Sequence, residues 1–123
     1  MPKQPRKEIG LSHLRVTLGD QFYVGPGRAD LLELIGETGS ISEAAKRMGM
    51  SYKRAWSLIE EMNVDFGTPL VHTTKGGKSY GGAGLTPTGK KILTLYRRIE
   101  DKAGDAIRSE LKALRKLLPD IAD

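Results

Sequence analysis

A chain of 123 residues, 38% hydrophobic and 28% charged, has room for one domain and about one further element, and is too short for a complete P-loop domain. It has no cysteine and two distant histidines, His13 and His72, which excludes disulfides and thiolate metal sites and leaves structural zinc without ligands, so no metal or cofactor is expected. The formal net charge is +5, and the window 46–91 alone holds eight basic against three acidic residues; such a surplus suits a polyanionic partner, with a solvated basic face as the alternative.

Residues 1–12 read as a flexible basic arm. They contain no apolar run of signal-peptide kind and nothing later approaches a membrane span, so the expected location is the cytoplasm. Leu14, Val16 and Leu18 alternate with polar residues, Gly19 and Asp20 supply a turn, and Phe22, Tyr23 and Val24 form the return strand of a small hairpin. In "GPGRADLLELIGETG" Pro26 marks a helix start and Gly36 and Gly39 its end, with Leu31, Leu32 and Ile35 on one apolar face.

"SISEAAKRMGMS" is the most informative junction. Ser40 and Glu43 have capping-box spacing, and Ile41, Ala44, Ala45 and Met48 form one stripe of a short helix. Gly49 ends that helix, and Ser51 caps a second one running through "YKRAWSLIEEMN". Two short helices joined by about three residues are the sequence form of a helix-turn-helix. In the second helix Tyr52, Ala55, Trp56, Ile59 and Met62 recur at core spacing, leaving Ser51, Lys53, Arg54 and Ser57 outward. Glu60 and Glu61 lie further along, where a helix entering the major groove by its N-terminal end leaves the phosphates. Lys46 and Arg47 belong to the same candidate DNA surface. A merely amphipathic helix with solvated charges is the alternative.

After Asn63, "VDFGTP" reads as a connection. "TTKGGKSYGGAG" then carries Gly77, Lys78 and Ser79 in the order of a Walker A tail, but His72 stands at its opening position and no helix-forming run comes after it. No enzyme is expected from it. A strand, a glycine-rich loop and a second strand after a recognition helix describe a wing, with Thr74, Lys75, Gly76, Gly77 and Lys78 toward its tip, where they meet phosphates or the minor groove. Thr86 then caps, and Pro87 begins, a helix over 87–118 whose stripe runs Ile92, Tyr96, Ile99, Ala103, Ile107, Leu111, Leu114 and Leu118. It would be roughly 45 Å long, with Gly104 as the place to bend or divide it. Its far end needs a partner, and residues 119–123 are a tail.

"GSISEAAKRMGMSYKRAW", "IEEMN" and "TTKGGKSYGGAGLTPTG" together resemble the N-terminal DNA-binding domain of the ModE family of molybdate-responsive bacterial regulators, a winged helix of LysR type. The likeness extends from about Gly27 to Tyr96. It implies a mainly α fold: a winged helix-turn-helix domain over 13–86, with a small β-hairpin wing and a long dimerisation helix over 87–118. It also implies a homodimer on a palindromic operator in double-stranded DNA, with Ser51, Tyr52, Lys53 and Arg54 at the head of the recognition helix and residues 75–78 in the wing. Two-domain members of the family continue into molybdate-binding domains, whereas this sequence stops at Asp123, so oxyanion sensing is not expected within it and the effector is left open. A protein–protein or architectural nucleoid module is the alternative function.

Overall fold

A computed structural model describes residues 11–74 and 82–119. Gly19 turns β1 (Val16–Leu18) back on β2 (Phe22–Val24), with Val16 opposite Val24. Three helices come next: α1 (Pro26–Thr38), α2 (Ile41–Met48) and α3 (Tyr52–Phe66). A second antiparallel ribbon pairs β3 (Val71–Thr74) with β4 (Gly82–Leu85), and α4 (Pro87–Ala106) and α5 (Arg108–Lys116) complete the described chain.

The apolar stripes read from the sequence meet in one core. Leu31, Leu32 and Ile35 of α1 are buried with Ala44 and Ala45 of α2 and Ala55, Ile59 and Met62 of α3. The three alanines let α2 and α3 approach closely. Phe22 and Val24 close one side of this core, and Leu70, Val71, Leu85 and Tyr96 close another.

Three boundaries differ from the sequence expectation. Gly36 does not end α1 but lies inside it, with Leu85 Cδ1 3.4 Å from where its Cβ would stand. The third helix runs past Asn63 to Phe66, because Phe66 gains an edge-on contact with Phe22 at 4.9 Å between centroids. Asn63 makes no break; its Oδ1 accepts from the Leu70 amide at 2.8 Å across the connection. The expected single helix over 87–118 is divided at Ile107, not at Gly104. Ile107 N–H still donates to the Ala103 carbonyl at 3.2 Å and its own carbonyl accepts from Leu111 N–H at 2.9 Å, so helical hydrogen bonds run through the junction. Among the described residues no α5 side chain is buried.

Two side chains dock α4 on the rest of the domain. Arg97 donates to Asp30 at 2.9 Å and to Glu33 at 2.7 Å, both on α1, and to Glu100 at 3.1 Å. Burial works against its charge, but the hydrogen bonds to the three carboxylates outweigh that and push its pKa further up. The buried Tyr96 hydroxyl donates to the Leu14 carbonyl at 2.6 Å. Burial, with the charge of Glu100 beside it, pushes this phenol from 10 to about 12.

The folded state therefore holds the phenol proton more tightly than the unfolded chain does. That stabilisation is fully present below pH 10 and is lost as pH rises toward about 12. Tyr96→Phe should be less stable than the wild type by about 1 kcal/mol at neutral pH, from the lost hydrogen bond. The gap should close and then reverse across the alkaline window, changing by up to about 1.4 kcal/mol per pH unit. Urea melts of both proteins at intervals of pH check this, and parallel curves through the window would refute it.

Candidate nucleic-acid interface

The turn between α2 and α3 is built by local hydrogen bonds. Gly49, at φ +71°, takes the left-handed conformation that a side chain resists, which lets the Met50 amide reach back to the Ala45 carbonyl at 3.0 Å. Ser51 Oγ then accepts from the Arg54 amide at 3.0 Å, so the cap and the head of α3 are set within one turn. At the start of α2 the capping box is half formed: Ser40 Oγ accepts from Glu43 N at 2.9 Å. The Ser40 amide is taken instead by Thr38 Oγ1, and the Glu43 carboxylate pairs with Arg47 at 3.4 Å.

Ser51, Lys53, Arg54 and Ser57 are exposed together on the first turns of α3, as their spacing predicts. Tyr52 joins them. Its spacing places it with the core residues, yet it is 53% exposed. At the first helical position it stands at the rim, and its ring meets Trp56 edge-on at 6.4 Å, which is itself half-buried against the core. Lys46 and Arg47, at the end of α2, are exposed as well. Among the described residues Lys46, Lys53 and Arg54 form no ion pair, whereas Arg47 is engaged by Glu43.

Two of the acidic groups of α3 are held elsewhere. Glu61 and Asp65 face Arg28 of α1 at 3.3 and 3.6 Å, so Asp65 lies eleven residues, about 16 Å of helix, from Arg54. Arg28 and Arg97 were missed by sequence reasoning. The available signal for Arg28 was a cation in the first turn of a helix, where the helix dipole favours an anion.

Thr74 is exposed at the last described rung of the wing, opposite Gly82, whose amide donates to Thr74 Oγ1 at 3.0 Å. The base of the hairpin is docked on the end of α1, where the Ala83 amide donates to the Gly39 carbonyl at 3.0 Å. His72 is an exposed strand residue whose imidazole lies over Gly84, with Nε2 3.0 Å from where a Cβ would stand. Lys75, Gly76, Gly77 and Lys78 lie outside the described residues. The next element in the chain is strand β4, where a Walker A loop needs a helix.

An exposed basic helix head preceded by a tight helical turn and succeeded by a β-ribbon has a match among known families. Residues 28–90 fit the model of the bacterial regulatory helix-turn-helix protein, lysR family. The chain belongs to this family. The lysR-family match runs from α1 into the first turn of α4, so it takes in every candidate contact residue, while the β1–β2 hairpin precedes it.

The resemblance to ModE is borne out by the lysR-family relatives. The chain is 44% identical over 91 residues to the molybdenum-pterin-binding protein MopB of Rhodobacter capsulatus, covering 74% of this chain and 34% of that one. It is 39% identical over 112 residues to the transcriptional regulator ModE of Yersinia pestis, covering 89% and 43%. To the DNA-binding transcriptional dual regulator ModE of Escherichia coli K12 it is 40% identical over 100 residues, covering 79% and 38%. The chain thus spans about two fifths or less of the length of these relatives. The winged-helix fold is shared with the crystal structure of the CbnR_DBD-DNA complex, at 28% identity and a TM-score of 0.54, covering 69% of this chain and 93% of that one. Full-length CbnR complexed with its target DNA shares the fold at 24% identity and a TM-score of 0.51, over 67% and 27%. Among the described residues no helix is long and apolar enough to cross a membrane.

Proposed function

We propose that this chain binds double-stranded DNA sequence-specifically, as a homodimer on a palindromic operator, and regulates transcription of molybdenum-related genes in the bacterial cytoplasm, at the nucleoid. The observation that carries this reading is the head of α3: Lys53 and Arg54 exposed and, among the described residues, without ion pairs, flanked by Ser51, Tyr52 and Ser57, with Glu61 and Asp65 drawn to Arg28 further along the helix. In this reading α3 enters the major groove by its N-terminal end and these five residues face base edges and flanking phosphates. Lys46, Arg47, Thr74 and residues 75–78 contact the backbone on either side. The molybdenum assignment is supported by the relatives' names, and the DNA assignment by those names and by the shared fold of the CbnR_DBD-DNA complex.

Selection from a randomised duplex library tests specificity. The protein should enrich one palindromic sequence, and a library that stays unenriched would favour an architectural role. Arg54→Ala should then weaken binding to the selected duplex by about 1 to 3 kcal/mol and relax preference at one base pair per half-site. Equal losses on selected and random duplex would assign Arg54 to a phosphate.

The homodimer reading is supported by apolar side chains left uncovered on α4 and α5, among them Leu95, Ile99 and Leu114, at 47, 41 and 58% exposure, and by Leu118 just past α5 at 54%. Leu95 and Ile99 are four residues apart and so share one face of α4. Leu95→Glu with Ile99→Glu should leave the melting temperature of the winged domain nearly unchanged while turning a dimer into a monomer in sedimentation equilibrium. An unchanged dimer would move the interface off this face.

A further inference from the structure

Arg28 breaks several local preferences at once. It is a cation in the first turn of α1, its side chain is 5% exposed, and its Nε is buried without a hydrogen-bond partner. Glu61 and Asp65 break the mirror preference, being anions in the C-terminal half of α3. A single guanidinium answers both. Its Nη2 lies 3.3 Å from Glu61 Oε1 and 3.6 Å from Asp65 Oδ2, and Nη1 donates to the Tyr23 carbonyl of β2 at 3.2 Å. Its Cζ is 3.9 Å from the centroid of the Tyr23 ring. One planar group therefore joins α1, β2 and α3.

We propose that Arg28 is a positioning residue for DNA reading, fixing the tilt of α3 so that Lys53 and Arg54 at its other end meet the bases. The proposal rests on the DNA-binding reading above. Apolar contacts from Ile59, Met62 and Phe66 keep α3 on the core, but burial is not directional, whereas a guanidinium fork held by a carbonyl and carboxylates is. The lever is long. Over the roughly 16 Å from Asp65 to Arg54, a tilt of about 5° carries the helix head about 1.4 Å, enough to pull a donor out of hydrogen-bonding range.

The test compares Arg28→Met, Arg28→Lys and Arg28→Met combined with Glu61→Gln and Asp65→Asn. Residual dipolar couplings read the orientation of α3 relative to α1, and binding is measured to the duplex selected by the wild type and to random duplex. Arg28→Lys keeps the charge but loses the planar fork. Both single variants should fold, show a reoriented α3, and lose about tenfold or more in the ratio of selected to random affinity, while random affinity stays within about threefold. Neutralising the two carboxylates should not restore the ratio. An unchanged helix orientation, an unchanged ratio, or a ratio restored by neutralisation would overturn the proposal. Failure of both single variants to fold would make Arg28 a stabilising residue only, and overturn it too. A wild type that enriches no sequence would defeat the sequence-specific reading, while the dipolar couplings would still decide whether Arg28 orients α3.

Discussion

Between 50 and 200 mM salt the affinity of this protein for its selected duplex should fall by roughly a thousandfold or more. Lys46, Lys53 and Arg54 are exposed and form no ion pair among the described residues, so each is available to a phosphate or base without first breaking a bond inside the protein. Arg47 is not, since Glu43 holds it at 3.4 Å. Lys75 and Lys78 bring two further cations in the sequence. Three phosphate contacts per protomer make about six per dimer, and a slope near −0.9 per contact then gives a dependence of about the fifth power on salt. A fourfold rise in salt at that power is the thousandfold loss. Lys53→Gln should lower the slope by about 1.8 for a dimer if Lys53 meets a phosphate. Fluorescence anisotropy over a salt series measures both quantities, and a flat dependence for the wild type would remove the electrostatic footprint.

Gly89→Ala should destabilise the domain by about 3 kcal/mol, lowering the melting temperature by roughly 10 °C or more, although alanine in a helix interior ordinarily stabilises by about 1 kcal/mol. A Cβ at Gly89 would stand 2.1 Å from the Leu70 carbonyl oxygen and 3.0 Å from its carbon. Neither partner has room to withdraw. Leu70 is fully buried, its amide is held by Asn63 Oδ1 at 2.8 Å, and its carbonyl accepts from Thr86 N–H at 3.0 Å. Gly89 N–H is in turn bound to the cap oxygen of Thr86 at 2.9 Å. Moving α4 outward would break these bonds and lift Tyr96 from the Leu14 carbonyl. Gly104→Ala is the control, because nothing lies within 4 Å of its Cβ position, and it should be neutral or stabilising. Calorimetry on the two variants separates the cases. Equal melting temperatures would mean that α4 does not press on the Leu70 backbone.

Much of the candidate site was legible because it is made of local bonds. The caps at Ser40, Ser51 and Thr86 each accept from the amide three residues on, a geometry confined to one turn, so a serine or threonine at the right offset declares it. The same holds for the Gly49 turn and for the period of Ala55, Ile59 and Met62, which places Lys53 and Arg54 outward without reference to the rest of the chain. Charge along α3 was legible for that reason too.

What the sequence by itself determined, then, were the elements whose bonds close within a few residues: the β1–β2 hairpin, the two capped helices of the turn, the wing strands, and a start for α4 at Pro87. Tertiary structure alone decided the features that depend on what comes alongside from far along the chain. Phe22 extends α3 past Asn63 by meeting Phe66, Gly36 lies inside α1 against the Leu85 side chain, and Tyr52 stands exposed at the rim of the described residues. Ile107 divides the last helix where the domain no longer supports it. Arg28 and Glu61 are 33 residues apart and Arg97 and Glu33 are 64 apart, and no periodicity links them. The physical reason is range: a cap or a stripe is a property of neighbouring residues, whereas an ion pair between helices exists only after burial has brought their backbones together and lowered the cost of holding two charged side chains in one geometry.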